Sequence, residues 1–470
     1  MRFSPVILAL GACACTATPD AVGPTVALPA AYRNLPSSGE ATAVTVDAMW
    51  WKQLRDPVLD ALVEDALRDS LSIEIAAARL EQAAARLAAS DAARAPLLAA
   101  SANVDRQSAT LEDPIGRFAS QVPGFQRSNT LFGLGLAASW ELDLFGRLAA
   151  GNRAARADAN AAAADLAGAR LTVAAEIAEA YVTARELQTR LKIAEARTET
   201  LAQLETIVAR RFAAGSAARL ELDQVQADRK TAEAAAPAIA LALEAVLNRI
   251  DVLSGRAPGP ARLRLGDAPI PSAPLIAVAD APAALLLMRP DLVAASRRVA
   301  AADARTAQAL ADRLPRVSLS ALVGLLSAGL SNLITDDAVQ SSVGIAASGP
   351  ILDFGRSRAG VDAARARTRE AVGNYRLVTL SAVAEVENAG AALSRRKEQS
   401  ALLDSGVVSA GRARDAARLA YVAGSVSLIE ALDAERRLLS AEDAAALARA
   451  DAARAAIATF RALGGGHGSQ

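Results

Sequence analysis

The amino-acid sequence predicts a mainly α protein with a β-barrel portion, built from two structural repeats. Three observations carry this: the chain is written twice, each half holds a very long proline-free helix, and each half holds two short alternating segments. The repeat shows in Leu144-Phe145-Gly146-Arg147 against Asp353-Phe354-Gly355-Arg356, and in Phe212-Ala213-Ala214-Gly215-Ser216 against Tyr421-Val422-Ala423-Gly424-Ser425. The spacings 215 − 146 and 424 − 355 are both 69, and the same offset of 209 carries Leu220-Glu221 onto Ile429-Glu430. Pro96 and Pro315 differ by 219, so ten extra residues fall in the first half, in a longer loop near 113–127. Self-similarity at a fixed offset makes each half one structural unit.

Each half has the same layout. A first amphipathic helix, 57–95 and then 290–314, stops at a proline. Two alternating segments follow, 97–107 with 131–142 and 316–326 with 339–351. A period of two with strand length reads as β. The stretch 317–335 is uncharged, yet Val317, Leu319, Ala321 and Val323 alternate with Ser318, Ser320 and Leu322, which suits a strand better than a spanning helix. Next come proline-free helices over 147–214 and 356–423, each 68 residues. At 1.5 Å per residue such a helix is about 100 Å long. Sevenfold spacing of Leu187, Ala194, Leu201 and Val208, and of Val372, Thr379, Val386 and Leu393, indicates coiled-coil packing. After each Gly-Ser break a second helix returns, 220–253 and 428–463, and 256–289 reads as a Pro- and Gly-rich connector.

Composition narrows the function. The 470 residues carry 51 basic and 51 acidic side chains, so there is no basic footprint for nucleic acid. Aromatics are 3% against a hydrophobic fraction of 52% dominated by Ala, which favours long, closely packed helices. The one histidine, His467, sits in a Gly-rich tail over 464–470 expected to be flexible. Both cysteines, Cys13 and Cys15, lie at the N-terminus, so the body offers no disulfide, thiolate metal site or Cys nucleophile. No catalytic group, metal site or organic cofactor is expected, and no Gly-x-x-x-x-Gly-Lys loop is present to hold a nucleotide.

The N-terminus reads as an address. Arg2 precedes a short apolar run ending in small residues, as in a secretory signal over 1–15. Leu10-Gly11-Ala12-Cys13 resembles a bacterial lipobox, whose cysteine carries lipid; an ordinary signal peptide is the alternative. Residues 16–49 form an extended linker to the first repeat at 50–255, and the second repeat spans 290–463.

Four strands cannot close a barrel, and an open edge cannot sit in lipid because its N–H and C=O groups would lack partners. The smallest such barrels have eight strands, so several copies must combine; three would supply twelve, and two or four also satisfy closure. A lipid-tethered periplasmic coiled coil is the rival reading, and the strands argue against it.

Trp50-Trp51-Lys52-Gln53-Leu54-Arg55-Asp56-Pro57, Arg289-Pro290-Asp291-Leu292 and the junctions 142–147 and 349–356 resemble the TolC-like outer-membrane efflux channel family, in its lipoprotein (NodT-type) branch. The match covers nearly everything after residue 15. It implies a homotrimer: a twelve-stranded transmembrane β-barrel continued by a long periplasmic α-helical barrel, with 256–289 and the chain ends in a belt midway. It implies the outer membrane of a Gram-negative bacterium, a lipid anchor, a periplasmic adaptor and an inner-membrane pump of the RND type. The chain would then give passive exit for pumped small molecules or metals; a type I protein-secretion exit channel is the alternative. The family's Pro-Asp register, here Pro19-Asp20, favours Cys15 for lipidation, whereas the lipobox favours Cys13.

By the same resemblance the Gly215 and Gly424 turns form the periplasmic tip, where the channel narrows. Glu430 and Asp433 would line the constriction as acidic rings, Tyr421 would latch the closed state by hydrogen bonding, and Glu221 holds the equivalent place in the other hairpin. The same acidic residues suit a helix start, where negative charge is favoured anyway. Val426 stands where the family latch is usually basic.

Overall fold

The computed structural model describes residues 26, 28–35, 48–276 and 288–465. The signal segment with Cys13 and Cys15, and His467, lie outside the described residues.

A 3-10 turn over Trp50–Leu54 leads into α1 (Pro57–Asp69) and α2 (Leu71–Ala92). Asp56 starts α1 by accepting from the Val58 and Leu59 amides at 3.0 and 3.3 Å, with Pro57 in the first turn. One continuous helix over 57–95 was expected; instead Ser70 is extended, at φ −67° and ψ 126°. The break lies against the end of the first hairpin, where a Cβ on Gly255 would stand 2.1 Å from the Asp69 carbonyl.

The strands are β1 (Leu97–Ser108), β2 (Ser128–Glu141), β3 (Arg316–Ser327) and β4 (Val339–Ser348), with the short α3 (Pro114–Ala119) in the longer first loop. They form one antiparallel sheet in the order β1-β2-β3-β4. Val104 pairs Phe132, Ala102 pairs Leu134, Leu136 pairs Val323 and Ala321 pairs Val343, so these side chains share one apolar face. The other face joins Ser101 to Gly135, Gly135 to Gly324, and Ser320 to Gly344, and is mostly small or polar, with Leu97, Leu131, Leu322 and Leu326 also standing on it. One face suits lipid and the other a lumen. β1 and β4 each keep an unpaired edge among the described residues.

The long helices follow: α4 (Arg147–Ala213) and α8 (Arg356–Val422), 67 residues each. Their returning partners are α5 (Arg219–Leu253) and α9 (Leu428–Ala462), while α6 (Pro260–Arg264) lies in the connector and α7 (Pro290–Ala311) opens the second half. At the first strand-to-helix junction Asp143 accepts from the Leu148 and Ala149 amides at 2.8 Å each, and Arg147 pairs with Glu141 through two bonds of 2.9 and 2.7 Å. Asp353 caps α8 likewise through the Ser357 amide at 2.8 Å. The repeated Phe-Gly-Arg motif is thus a turn with a side-chain cap.

The helices nearest the sheet form a wall in the order α2-α4-α7-α8, with α2 and α8 at its edges. The core lies midway down the long helices. Trp50 stacks on Phe460 at 5.4 Å and meets Trp51 edge-on at 5.9 Å, so the paired Trp motif is packing. Beneath it the Tyr181 hydroxyl donates to Asp56 Oδ2 at 2.5 Å. Fully buried Arg185 donates to that hydroxyl through Nε and Nη2, at 2.9 and 2.7 Å, and through Nη1 to the Gly266 carbonyl at 2.5 Å. Burial and the bond to Asp56 push the Tyr181 phenol above its ordinary range.

The connector and both chain ends meet at this level. Asp251 accepts from the Gly259 and Ala261 amides at 2.7 and 2.8 Å, and Lys397 donates to the Pro274 carbonyl at 3.4 Å. The Arg33 and Asn34 amides donate to Glu387 at 2.8 and 3.2 Å. The tail was expected to be loose from residue 464, but Gly464 and Gly465 are packed and the residues after them lie outside those described. Gly464 and Gly465, at φ +88° and +64°, end α9, and a Cβ on Gly464 would stand 3.2 Å from Arg289.

Candidate functional site at the hairpin tips

Both long hairpins turn at the end away from the sheet. Gly215 and Gly424 take φ +70° and +76°, left-handed values that cost a glycine little. The turn is the same in both. Gly215 and Ser216 amides donate to the Phe212 and Arg211 carbonyls at 2.9 and 2.8 Å, and Gly424 and Ser425 amides to Tyr421 and Ala420 at 3.0 and 2.9 Å. The two tips are held together by an apolar cluster of Val208, Leu222, Val225, Tyr421, Leu428 and Ala431. Val426 packs against this cluster, so its place is filled by an apolar contact.

The sequence-chosen residues take distinct positions there. Tyr421 is 3% exposed and its hydroxyl has no hydrogen-bond partner among the described residues. The Arg211 guanidinium lies 5.0 Å above its ring instead. Glu430 closes a capping box: it accepts from the Ser427 amide at 2.7 Å, while the Ser427 hydroxyl accepts from the Glu430 amide at 3.3 Å. Glu221 reaches the Ala218 amide at 3.5 Å in the same place on α5. Asp433 pairs with Arg436 at 2.6 Å and Arg437 at 2.7 Å, and the hydrogen bond from Arg436 holds its carboxyl below the usual aspartate range. That triplet carries a net positive charge.

Sequence reading missed three groups here. Arg211, in the last turn of α4, faces Tyr421 of the opposite hairpin. Arg414 donates to buried Glu435 at 3.4 Å, and burial raises the Glu442 carboxyl above its ordinary value. Arg436 and Arg437, three and four residues beyond Asp433, were legible as helical ion-pair spacing.

A sheet with a lipid face and a lumen face, continued by hairpins of about 100 Å that end in a packed tip, defines the subunit of a membrane-spanning exit duct. The family model for outer membrane efflux proteins matches residues 62–256 and 281–465, and the chain belongs to that family. It is 31% identical over 462 residues to the pyoverdine export outer membrane protein OpmQ of Pseudomonas aeruginosa, covering 98% of this chain and 95% of that one. It is 28% identical over 456 residues to nodulation protein T of Rhizobium leguminosarum bv. trifolii, covering 96% and 93%. The outer-membrane channel OprN superposes with a TM-score of 0.84 at 32% identity, over 95% of this chain and 99% of that chain. The fold is that of TolC-like trimeric channels, and the protein is the outer-membrane channel subunit of a tripartite efflux system.

Proposed function

We propose that three copies close a twelve-stranded barrel and a helical tunnel whose tip is the gate, engaged by a periplasmic adaptor and supplied by an inner-membrane pump of the RND type. The open-edged sheet carries this reading: β1 and β4 need strands from other copies before the barrel can sit in lipid. The N-terminal lipid, on Cys15 or Cys13, adds a second hold on the outer membrane, worth about 0.8 kcal/mol per buried methylene.

In this reading the two tips of each subunit shift apart from their neighbours when the adaptor docks, and Glu430 faces the pore from the start of α9. Asp433 contributes less to an acidic ring than its residue type suggests, because Arg436 and Arg437 offset it. The cargo is a small molecule or metal ion selected by the pump; pyoverdine is what the name of the relative OpmQ specifies for that protein.

Imaging of the detergent-extracted protein tests the assembly. Hollow threefold particles with a tunnel of about 100 Å support it. Solid rods, or protein that leaves the membrane without detergent, overturn it.

A further inference from the structure

We infer that neighbouring copies join through a charge-locked contact of α2 with α8, in which Glu74 and Glu81 of one copy meet Arg376 and Arg369 of the next. This rests on the three-copy reading and goes further by naming the seam. In the wall α2-α4-α7-α8 the edge helices are α2 and α8, so in a closed ring α8 of one copy faces α2 of the next. The chain carries its own template for that contact. Inside each copy α4, the long helix of the first half, packs against α7, the short helix of the second. The seam is the same meeting with the halves exchanged.

The template sets the register. Within the chain Arg298 pairs with Asp165 at 2.6 Å, Arg305 pairs with Asp158, and a Cβ on Gly168 would lie 3.6 Å from Pro290. The repeat offsets of 209 for the long helices and 219 for the short ones carry these contacts to the seam. They set Asn374 against Arg79, Arg367 against Arg86, and Leu377 against Leu71. Between those markers Glu74 falls level with Arg376 and Glu81 with Arg369, within about one helical turn of 5.4 Å.

The faces agree as well. Arg79 and Arg86 line one groove with Asp158, Asp165, Arg298 and Arg305, so all six lie on one side of the wall. Glu74 and Glu81, seven residues apart, lie on the opposite flank of α2, and Arg369 and Arg376 on the corresponding flank of α8. All four are exposed, and none has a partner among the described residues. On the groove side Glu370, also exposed and without a partner among the described residues, falls between Arg79 and Arg86.

Between the charged flanks the edges are apolar. Leu71 and Ile75 are 57% and 54% exposed, and Leu377 and Leu380 are 63% and 55% exposed. In the transferred register Leu71 and Ile75 lie level with Leu377 and Leu380. Such exposed side chains, matched in height on the two free edges of one wall, mark a surface covered by a second copy.

The ladder also discriminates. At the internal junction the positions equivalent to Glu74 and Glu81 are Val293 and Ala300, and those equivalent to Arg376 and Arg369 are Ala167 and Asn160. An α8 that docked on α7 of another copy would leave both arginines facing apolar residues. The charges therefore favour the order that closes the ring over an exchange of halves.

Cysteine cross-linking on the full-length protein in membranes tests the seam, since the body of the chain holds no cysteine. Glu81→Cys with Arg369→Cys is expected to give interchain disulfide-linked dimers and trimers that dithiothreitol dissolves. Each single variant, and Glu81→Cys with Arg358→Cys about 16 Å further along the helix, is expected to give none. Separately, Glu74→Arg with Glu81→Arg should abolish most of the trimer that survives detergent, and adding Arg369→Glu with Arg376→Glu should restore it. Threefold particles without the disulfide, or without the charge-reversal rescue, overturn the ladder and leave the trimer standing. Particles that are not threefold overturn the three-copy reading itself.

Discussion

Arg211 and Tyr421 tie the ends of the two hairpins together, with the guanidinium 5.0 Å above the phenol ring and the phenol hydroxyl unbonded among the described residues. The contact is a cation–π pair across the tip, beside the apolar cluster of Val208, Leu222, Val225, Leu428 and Ala431.

The first prediction follows from that geometry. Tyr421→Phe keeps the ring and removes a buried, unpaired hydroxyl, so closed-state conductance in planar bilayers should stay at the parent level. Tyr421→Ala and Arg211→Ala should both raise it, the latter through loss of about 0.5–2 kcal/mol. Opening by Tyr421→Phe as large as that by Tyr421→Ala would restore a hydrogen-bond latch, formed with another copy.

Charge at the tip gives a second prediction. Glu430→Gln should lower cation preference in bilayer recordings. Asp433→Asn should lower it further, because the charges of Arg436 and Arg437 are then unopposed. Equal reversal potentials in a salt gradient for parent and double variant would remove both residues from the pore.

The pH dependence has a definite sign. The folded Asp433 carboxyl is depressed, so its ion pairs are at full strength above the ordinary aspartate value of 3.8 and weaken only as pH falls through the lower folded value. The change in selectivity caused by Asp433→Asn should therefore persist undiminished from neutral pH down to that ordinary value. A decline already complete at pH 5 would mean that the Arg436 and Arg437 contacts do not hold in the assembled channel.

The sheet register makes a fourth prediction. Ala321→Arg places a guanidinium on the apolar face and should cost about 2–4 kcal/mol at mid-membrane. Its neighbour Ser320→Arg points to the lumen and should leave assembled protein near parent levels. Immunoblots of outer-membrane fractions compare the two. Equal losses would mean that the faces are not separated as the pairing indicates.

Trp50→Ala should cost about 3–5 kcal/mol by removing a fully buried ring stacked on Phe460. Thermal melting of the detergent-solubilised protein measures it. A melting temperature within error of the parent would show that the belt does not limit stability.

Much of this architecture was legible because its physics is periodic. Alternation identified β3, where Val317, Leu319 and Ala321 share a face, and the doubled Gly-Ser break located both tips. The break at Ser70 was not legible: nothing local stops a helix there, and the cause is the end of the first hairpin, which arrives from nearly two hundred residues away. The tip was half legible. Glu430 sits where its spacing from Ser427 predicts a capping box, but the partner of Tyr421 is Arg211, brought in from another hairpin by tertiary packing.

The unpaired edges of β1 and β4 have a genetic consequence. A barrel sealed only by strands from other copies fails as a whole when one edge is faulty, so a chain with a damaged β1 edge spoils the sound chains it joins. With equal synthesis of both and random mixing, only about one channel in eight would be free of the damaged chain. Proline substitutions in β1 or β4 should therefore behave as dominant alleles, whereas lesions that prevent folding before assembly should be recessive.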